Sequence, residues 1–248
     1  MKPYDLTGKR ILVTGASSGI GRACAICAAG LGASVVVTGR RADALREALS
    51  MCAGSGHQIF AGDITSPDFA GELVESAGKI DGLVHAAGIA PMCPVGMLGK
   101  DAVDSVMGVN YYSFLELMKY YSKKKYRGER LSVVAVSSVS YATGWAGGSV
   151  YCGSKGALSA SVRALAMELA TKGIRVNAVC PSNIKTPLYE AGASDINGED
   201  ALKELIKKQP LGLGEPEQVA WPVCFLLSDA ASFITGVNLP VDGGYLAQ

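Results

Sequence analysis

Tyr151 and Lys155 stand four residues apart in Tyr151-Cys152-Gly153-Ser154-Lys155, a spacing that puts two side chains on one face of a helix within mutual reach. A phenol with its ordinary pKa of about 10 exchanges protons poorly near neutrality. An adjacent ammonium stabilises the phenolate and should lower that value, so the pair reads as an acid–base couple; the plain alternative is a helix face shared by chance. A second motif, Thr14-Gly15-Ala16-Ser17-Ser18-Gly19-Ile20-Gly21, follows a β-branched run and leads into a helix-like one. Glycines there let the backbone turn tightly and approach a pyrophosphate, whose charge free N–H groups at the helix start would meet. The strand before and the helix after are the context that separates this motif from a connecting turn.

The elements that must carry these residues are legible in the apolar pattern. Strands are expected near Arg10–Thr14, Ser34–Thr38, His57–Ala61, Gly82–Ala86, Ser132–Ser137, Arg175–Val179 and Val237–Pro240, short runs of Val, Ile and Leu that suit burial on both faces. Helices are expected near Ile20–Leu31, Arg41–Ala53, Pro67–Ala77, Asp101–Arg127, Tyr151–Thr171, Ala201–Lys208 and Pro216–Leu227. The alternation predicts an α/β fold, a doubly wound and mostly parallel sheet, with ligands beyond the carboxyl ends of the strands. No linker or repeat divides the 248 residues, which predicts one domain over 1–248.

The spacing T-G-x-x-x-G-x-G, with the Tyr-x-x-x-Lys that follows, resembles the short-chain dehydrogenase/reductase family, from about Leu6 to Gly244. The resemblance implies a seven-stranded Rossmann-type sandwich and a hydride transfer between a nicotinamide and a small carbonyl or secondary alcohol. It assigns Ser138, thirteen residues before Tyr151, to the substrate oxygen, with Ser137 as its rival. Asn110 would hold a water behind Lys155 and complete a proton relay; a buried amide bracing its helix is a compatible reading. Gly15, Ser17, Ser18, Gly19, Ile20 and Gly21 would cradle the cofactor, with Asp63 and Ile64 at the adenine and Ala87 and Gly88 along its length. Pro181, Ile184 and Thr186 would meet the nicotinamide amide, and Tyr151 and Lys155 its ribose. Asp63 could equally cap its own loop.

The phosphate on the adenine ribose can be judged from the residues themselves. An acid some 20 residues past the glycines, at the end of the second strand, normally holds a free 2′-hydroxyl. Gly39 stands there, no acid occurs between Gly15 and Asp43, and Arg40 and Arg41 follow. Two cations at a helix start invite an anion, so NADP(H) is favoured over NAD(H).

Three stretches depart from the family pattern: His85-Ala86-Ala87-Gly88 where N-N-A-G is common, Ser182 where glycine follows the proline, and a Pro210–Pro216 loop one residue short. His85 reads as a structural replacement. Substrate contacts are expected from loops 89–97 and 139–148 and from a lid at about 183–208, offering Met92, Met97, Tyr141, Trp145 and Tyr189 beside Ser138.

A net charge of +1 gives no reason to expect nucleic acid or an anionic membrane as partner. No apolar stretch is long enough to span a bilayer and no signal peptide is evident, so the expected compartment is the cytoplasm. The basic run Lys123, Lys124, Lys125 and Arg127 reads as a solvated helix end. Seven scattered cysteines form no disulfide framework. Cys24 and Cys27 make a C-x-x-C inside a helix, but with two histidines in all and no second cysteine pair they read as packed thiols, and no metal is expected. An alternative activity is reduction of 3-oxoacyl groups on acyl carrier protein, for which Lys172 and Arg130 could greet an acidic partner, with Glu129 among them. A non-catalytic dinucleotide-binding module is the remote alternative. Family resemblance implies a homotetramer, or a dimer, built on the helices at 101–127 and 151–171, where Ala157, Ser161 and Ala164 would allow close approach.

Overall fold

Seven of the short apolar runs are strands in the computed structural model, which describes residues 4–193, 203 and 207–248. They are β1 (Arg10–Thr14), β2 (Ser34–Gly39), β3 (Gln58–Ala61), β4 (Ile80–His85), β5 (Arg127–Val136), β6 (Ile174–Pro181) and β7 (Asn238–Val241). They form one sheet in the order β3-β2-β1-β4-β5-β6-β7, and every pair is parallel. Parallel neighbours need crossovers, and the helices supply them: α1 (Gly19–Gly30), α2 (Ala42–Ser50), α3 (Phe69–Ala77), α4 (Lys100–Met107), α5 (Ser113–Tyr121), α6 (Ser149–Leu169), α7 (Pro187–Ala193) and α8 (Pro216–Leu227).

Alternate strand side chains point to opposite faces, so the core has two halves. Val13, Val35 and Val37 pack with Ala25, Ala28, Val219 and Val223 of α1 and α8. Leu12, Val36 and Leu83 pack with Leu73, Phe114, Leu117, Leu158 and Val162 of α3, α5 and α6. Each fully buried aliphatic side chain contributes about 1.5–3 kcal/mol. On α6 the buried positions Lys155, Leu158, Ser159, Val162 and Ala166 recur at helical spacing, which is why Lys155 faces inward with the core.

The helix expected over 101–127 is not continuous. Between α4 and α5 the residues Gly108–Tyr112 form a π-turn, and the chain leaves the helix at Tyr121, makes a 3₁₀ turn at Lys124–Tyr126 and enters β5 at Arg127. The basic run is therefore no plain helix end: Lys125 pairs with Glu75 at 2.7 Å, and Arg127 is buried with its guanidinium on the Gly128 and Glu129 carbonyls. Helix α7 lies in the stretch expected to be a lid. Most of the expected helix at 201–208, and the middle of that lid, lie outside the described residues. No helix among the described residues is long and apolar enough to cross a membrane.

Candidate active site

β1 and β4 are neighbours in the sheet although three crossovers separate them in sequence, so the winding reverses between them. A crevice opens at such a switch point, beyond the carboxyl ends. There lies a cavity of about 840 Å³, reached by Gly19, Gly88, Ser138, Tyr151, Lys155 and Thr186.

The glycine loop is shaped by close approach. Gly15 has φ +65°, and a Cβ there would lie 2.7 Å from the Ala86 carbonyl oxygen; at Gly21 it would lie 2.4 Å from the Gly15 oxygen. Ser18 caps α1 without a side-chain hydrogen bond, and no acid sits in the first turn. The first N–H groups of the helix have no intrahelical partner by geometry, so this cradle fits an anionic pyrophosphate. Arg22, which the sequence reading passed over, supports it: its Nη2 donates to the Ser17 carbonyl at 2.7 Å while Nη1 pairs with Glu47.

β5 delivers Ser137 and Ser138 to the cavity, and their hydroxyls diverge. Ser137 Oγ is engaged by Ser159 Oγ at 2.7 Å and by the Lys155 carbonyl, whereas Ser138 lies beside the Tyr151 phenol and its Oγ accepts from the Ser140 N–H. The Lys155 ammonium is 4% exposed, donates to the Val136 carbonyl at 2.8 Å, and stands 5.8 Å from the Tyr151 ring centre. Burial pushes it down to about 8. The lowering of the phenol expected from this neighbour is not realised. Burial raises the Tyr151 pKa, and the Ser138 hydrogen bond opposes it only in part.

Asn110 sits in the π-turn, fully buried. Its Oδ1 accepts from the Ile89 N–H at 2.8 Å, and its Nδ2 donates to the Ile89 carbonyl and to Ser154 Oγ. The side chain thus ties the loop after β4 to the helix carrying Tyr151. His85 is also fully buried. Thr14 Oγ1 accepts from the Ala86 and Ala87 N–H groups, which leaves its proton for His85 Nδ1 at 3.3 Å. Burial, aided by the Lys155 charge, pushes His85 down to about 3, so it is a neutral strut at the switch point.

The sequence model of the family described as enoyl-(acyl carrier protein) reductase matches residues 15–246. An L-rhamnose 1-dehydrogenase (NAD(P)+) of a Sphingomonas species is 36% identical over 96% of each chain. The chain belongs to the short-chain dehydrogenase/reductase family. A 3-oxoacyl-acyl-carrier-protein reductase of Rickettsia felis is 35% identical over 98% of each chain. The solved structure of a candidate NAD(P)-dependent gluconate 5-dehydrogenase from Beutenbergia cavernae, with bound NADP, superposes with a TM-score of 0.90 at 32% identity over 99% of this chain and 100% of that one. Like other members of the family, the chain is an NAD(P)-dependent oxidoreductase of alcohol and carbonyl groups.

The other expected short-chain dehydrogenase/reductase positions fall into two groups. Ser18, Ile20, Gly21, Pro181, Ile184, Trp145 and Tyr189 line the cavity, together with Met92. Ser17, Arg40, Arg41, Asp63, Ile64 and Ala87 do not. Arg40 and Arg41 are exposed where β2 runs into α2, and a Cβ on Gly39 would lie 3.6 Å from Ser17 Oγ, which puts the arginines beside the glycine loop. Asp63 caps its own loop, accepting from the Thr65 N–H and hydroxyl, which holds its carboxyl below the usual range; Arg40 lowers it slightly further. Tyr141 and Met97, expected as substrate contacts, are not in the lining. Their places are taken by Ser140, Thr143, Asn183 and Tyr245. Nothing local in the sequence marks Tyr245, which the segment after β7 brings to the cavity.

Ser182 carries no strain in place of glycine. Its hydroxyl reaches Gln209 Oε1 at 2.8 Å and the Asp242 carbonyl at 2.9 Å. Gln209, 1% exposed, also accepts from the Asn183 N–H and donates to the Asn183 and Gly212 carbonyls. Lys172 and Arg130 stand at the N-terminal ends of β6 and β5, at the opposite end of their own sheet from the cavity.

Proposed function

We propose that this protein is an NADP(H)-dependent reductase or dehydrogenase of small carbonyl compounds and secondary alcohols, working through Ser138, Tyr151, Lys155 and Asn110. One observation carries the reading: a serine at the end of β5 and a tyrosine and lysine one turn apart on α6 share a cavity with a glycine-rich helix start. The bound nicotinamide supplies or takes the hydride. Ser138 and Tyr151 donate hydrogen bonds to the substrate oxygen, where negative charge grows during reduction. Tyr151, kept protonated at neutral pH by burial, then transfers its proton to that oxygen. Lys155 holds a positive charge behind the phenol and binds the ribose. Asn110 fixes the loop after β4 and, through its main chain, a water that returns the proton. Arg40 and Arg41 hold the 2′-phosphate. The whole of 1–248 acts as one catalytic domain, with 89–97, 139–148 and 183–208 as its substrate loops.

Among the described cavity residues Lys155 alone is charged, which favours neutral substrates over carboxylates. The rhamnose dehydrogenase relative makes neutral sugars and their lactone or ketose partners the first substrates to try. The acyl-carrier-protein reading is kept on the Rickettsia relative. A screen by nicotinamide absorbance, with neutral sugars and polyols, free ketones and an acyl-carrier-protein thioester, tests all of this. Turnover of a neutral substrate with NADP(H), cut by orders of magnitude in Tyr151→Phe with cofactor affinity kept, supports it. Turnover that survives Tyr151→Phe, or occurs with the thioester alone, overturns it.

A further inference from the structure

The C-x-x-C of α1 is not the thiol pair the fold makes. Cys24 is buried against the sheet, 1% exposed, and its thiol is pushed far up by burial. Cys27, one turn further, is only partly buried, and it packs on the same cluster as Cys224 of α8. Both line one cavity of about 510 Å³, an apolar recess walled by Tyr4, Leu31, Trp221 and Phe225 on the face away from the active site. None of the residues around the catalytic cavity belongs to it. α1 and α8 pack closely because α1 presents alanines and glycines, and Cys27 and Cys224 lie on the packed faces of the two helices.

We propose that Cys27 and Cys224 are an oxidisable thiol pair, a site at which a small peroxide converts two thiols into a disulfide joining α1 to α8. Cys27 is the attacking sulfur. It is the more accessible of the two, partly buried where Cys224 is 2% exposed, and the neighbouring Cys224 thiol lowers its pKa; the thiolate is the nucleophile. Its Sγ takes the terminal oxygen of the peroxide; the O–O bond breaks, the leaving alcohol or water carries off a proton, and a sulfenic acid remains. Cys224 Sγ then attacks that sulfur and water leaves with the second proton. Two electrons pass from the thiols to the peroxide. Three other cysteines are placed differently: Cys52 and Cys93 bond main-chain carbonyls, and burial pushes Cys180 up to about 11. The link would fall about 12 Å along α1 from Gly19, by the rise of the helix, so the cofactor loop is not touched.

The test is peptide mapping of the full-length protein after limited hydrogen peroxide, in the presence of NADP⁺. A peptide pair joined through Cys27 and Cys224, two hydrogens lighter than the separate thiol peptides and formed before any other cysteine reacts, is the expected result. In Cys224→Ser a sulfenic acid should persist on Cys27 and be trapped by dimedone, and in Cys27→Ser Cys224 should stay a thiol. Oxidation of Cys52, Cys93 or Cys152 ahead of Cys27, or passage of wild-type Cys27 to sulfinic acid without the link, would overturn the proposal. The wild-type map decides this even where a variant does not fold.

Discussion

Burial pushes the Lys155 ammonium down to about 8 while it raises the Tyr151 phenol, and both shifts bear on pH. Carbonyl reduction through this pair needs the phenol protonated and the ammonium charged. Both hold at low pH; the charge on Lys155 is the first to be lost as pH rises. We expect kcat/KM for reduction to fall as pH climbs through about 8, and alcohol oxidation to gain at higher pH, where the phenolate forms. Lys155→Met should abolish that inflection along with most of the rate; a reduction profile in the wild type flat to pH 10 would refute the assignment. A second residue-scale outcome concerns Arg40, exposed one residue after Gly39, which lies beside Ser17 where an acid would hold a free hydroxyl. A charge-assisted hydrogen bond is worth about 1.5–3 kcal/mol, roughly ten- to a hundredfold in Kd. Arg40→Ala should weaken NADPH by that factor in a fluorescence titration and leave NADH unchanged, and equal losses would sink the preference.

At the scale of elements the site is held by side chains that clamp one segment to another. Asn110 interrupts a helix with a π-turn and in return binds Ile89 and Ser154. Gln209 does the same for the far wall, joining Ser182, Asn183 and Gly212, while Ser182 reaches the segment that carries Tyr245. Removing Gln209 strands several buried polar groups at about 1 kcal/mol or more each. Gln209→Ala is therefore expected to lose roughly 2–4 kcal/mol in urea unfolding and to raise KM more than it lowers kcat, since it loosens the wall and not the proton path. Stability within experimental error of the wild type would show that the network is incidental.

The whole molecule offers an outer face on α6 and the π-turn where Met167 is 81% exposed and Tyr112 50%. Large apolar side chains so placed suit an interface between copies of the chain. The small residues first suspected of making it are partly used within the subunit, for Ser161 Oγ meets the Tyr111 hydroxyl at 2.9 Å. We expect a solution mass of about four times the 25.6 kDa chain by light scattering at micromolar concentration, falling in Met167→Asp. A monomer at that concentration would remove the expectation.

Much of this architecture was legible in the residues because it is local. Period-2 and period-3.6 burial are properties of a few turns or a few strand residues, so the strands, the Tyr151–Lys155 face and the glycine-rich helix start could be read directly. β4 and β5 begin earlier than expected because Ile80 and Arg127 join the ladder through a register shift and Leu131 pairs with Ile174, long-range pairings that no local pattern reports. What the tertiary structure alone decided involves residues far apart in the chain. The reversal of winding between β1 and β4 sets Thr14 against His85 and puts Arg130 and Lys172 at the wrong end for the cavity. The packing of α1 on α8 brings Cys27 and Cys224 to one recess. Desolvation made Tyr151 a weaker acid where its charged neighbour promised a stronger one. Spacing along a helix encodes which charges are near, but the water that competes with them is removed only when the sheet, the helices and the segment after β7 close around the site.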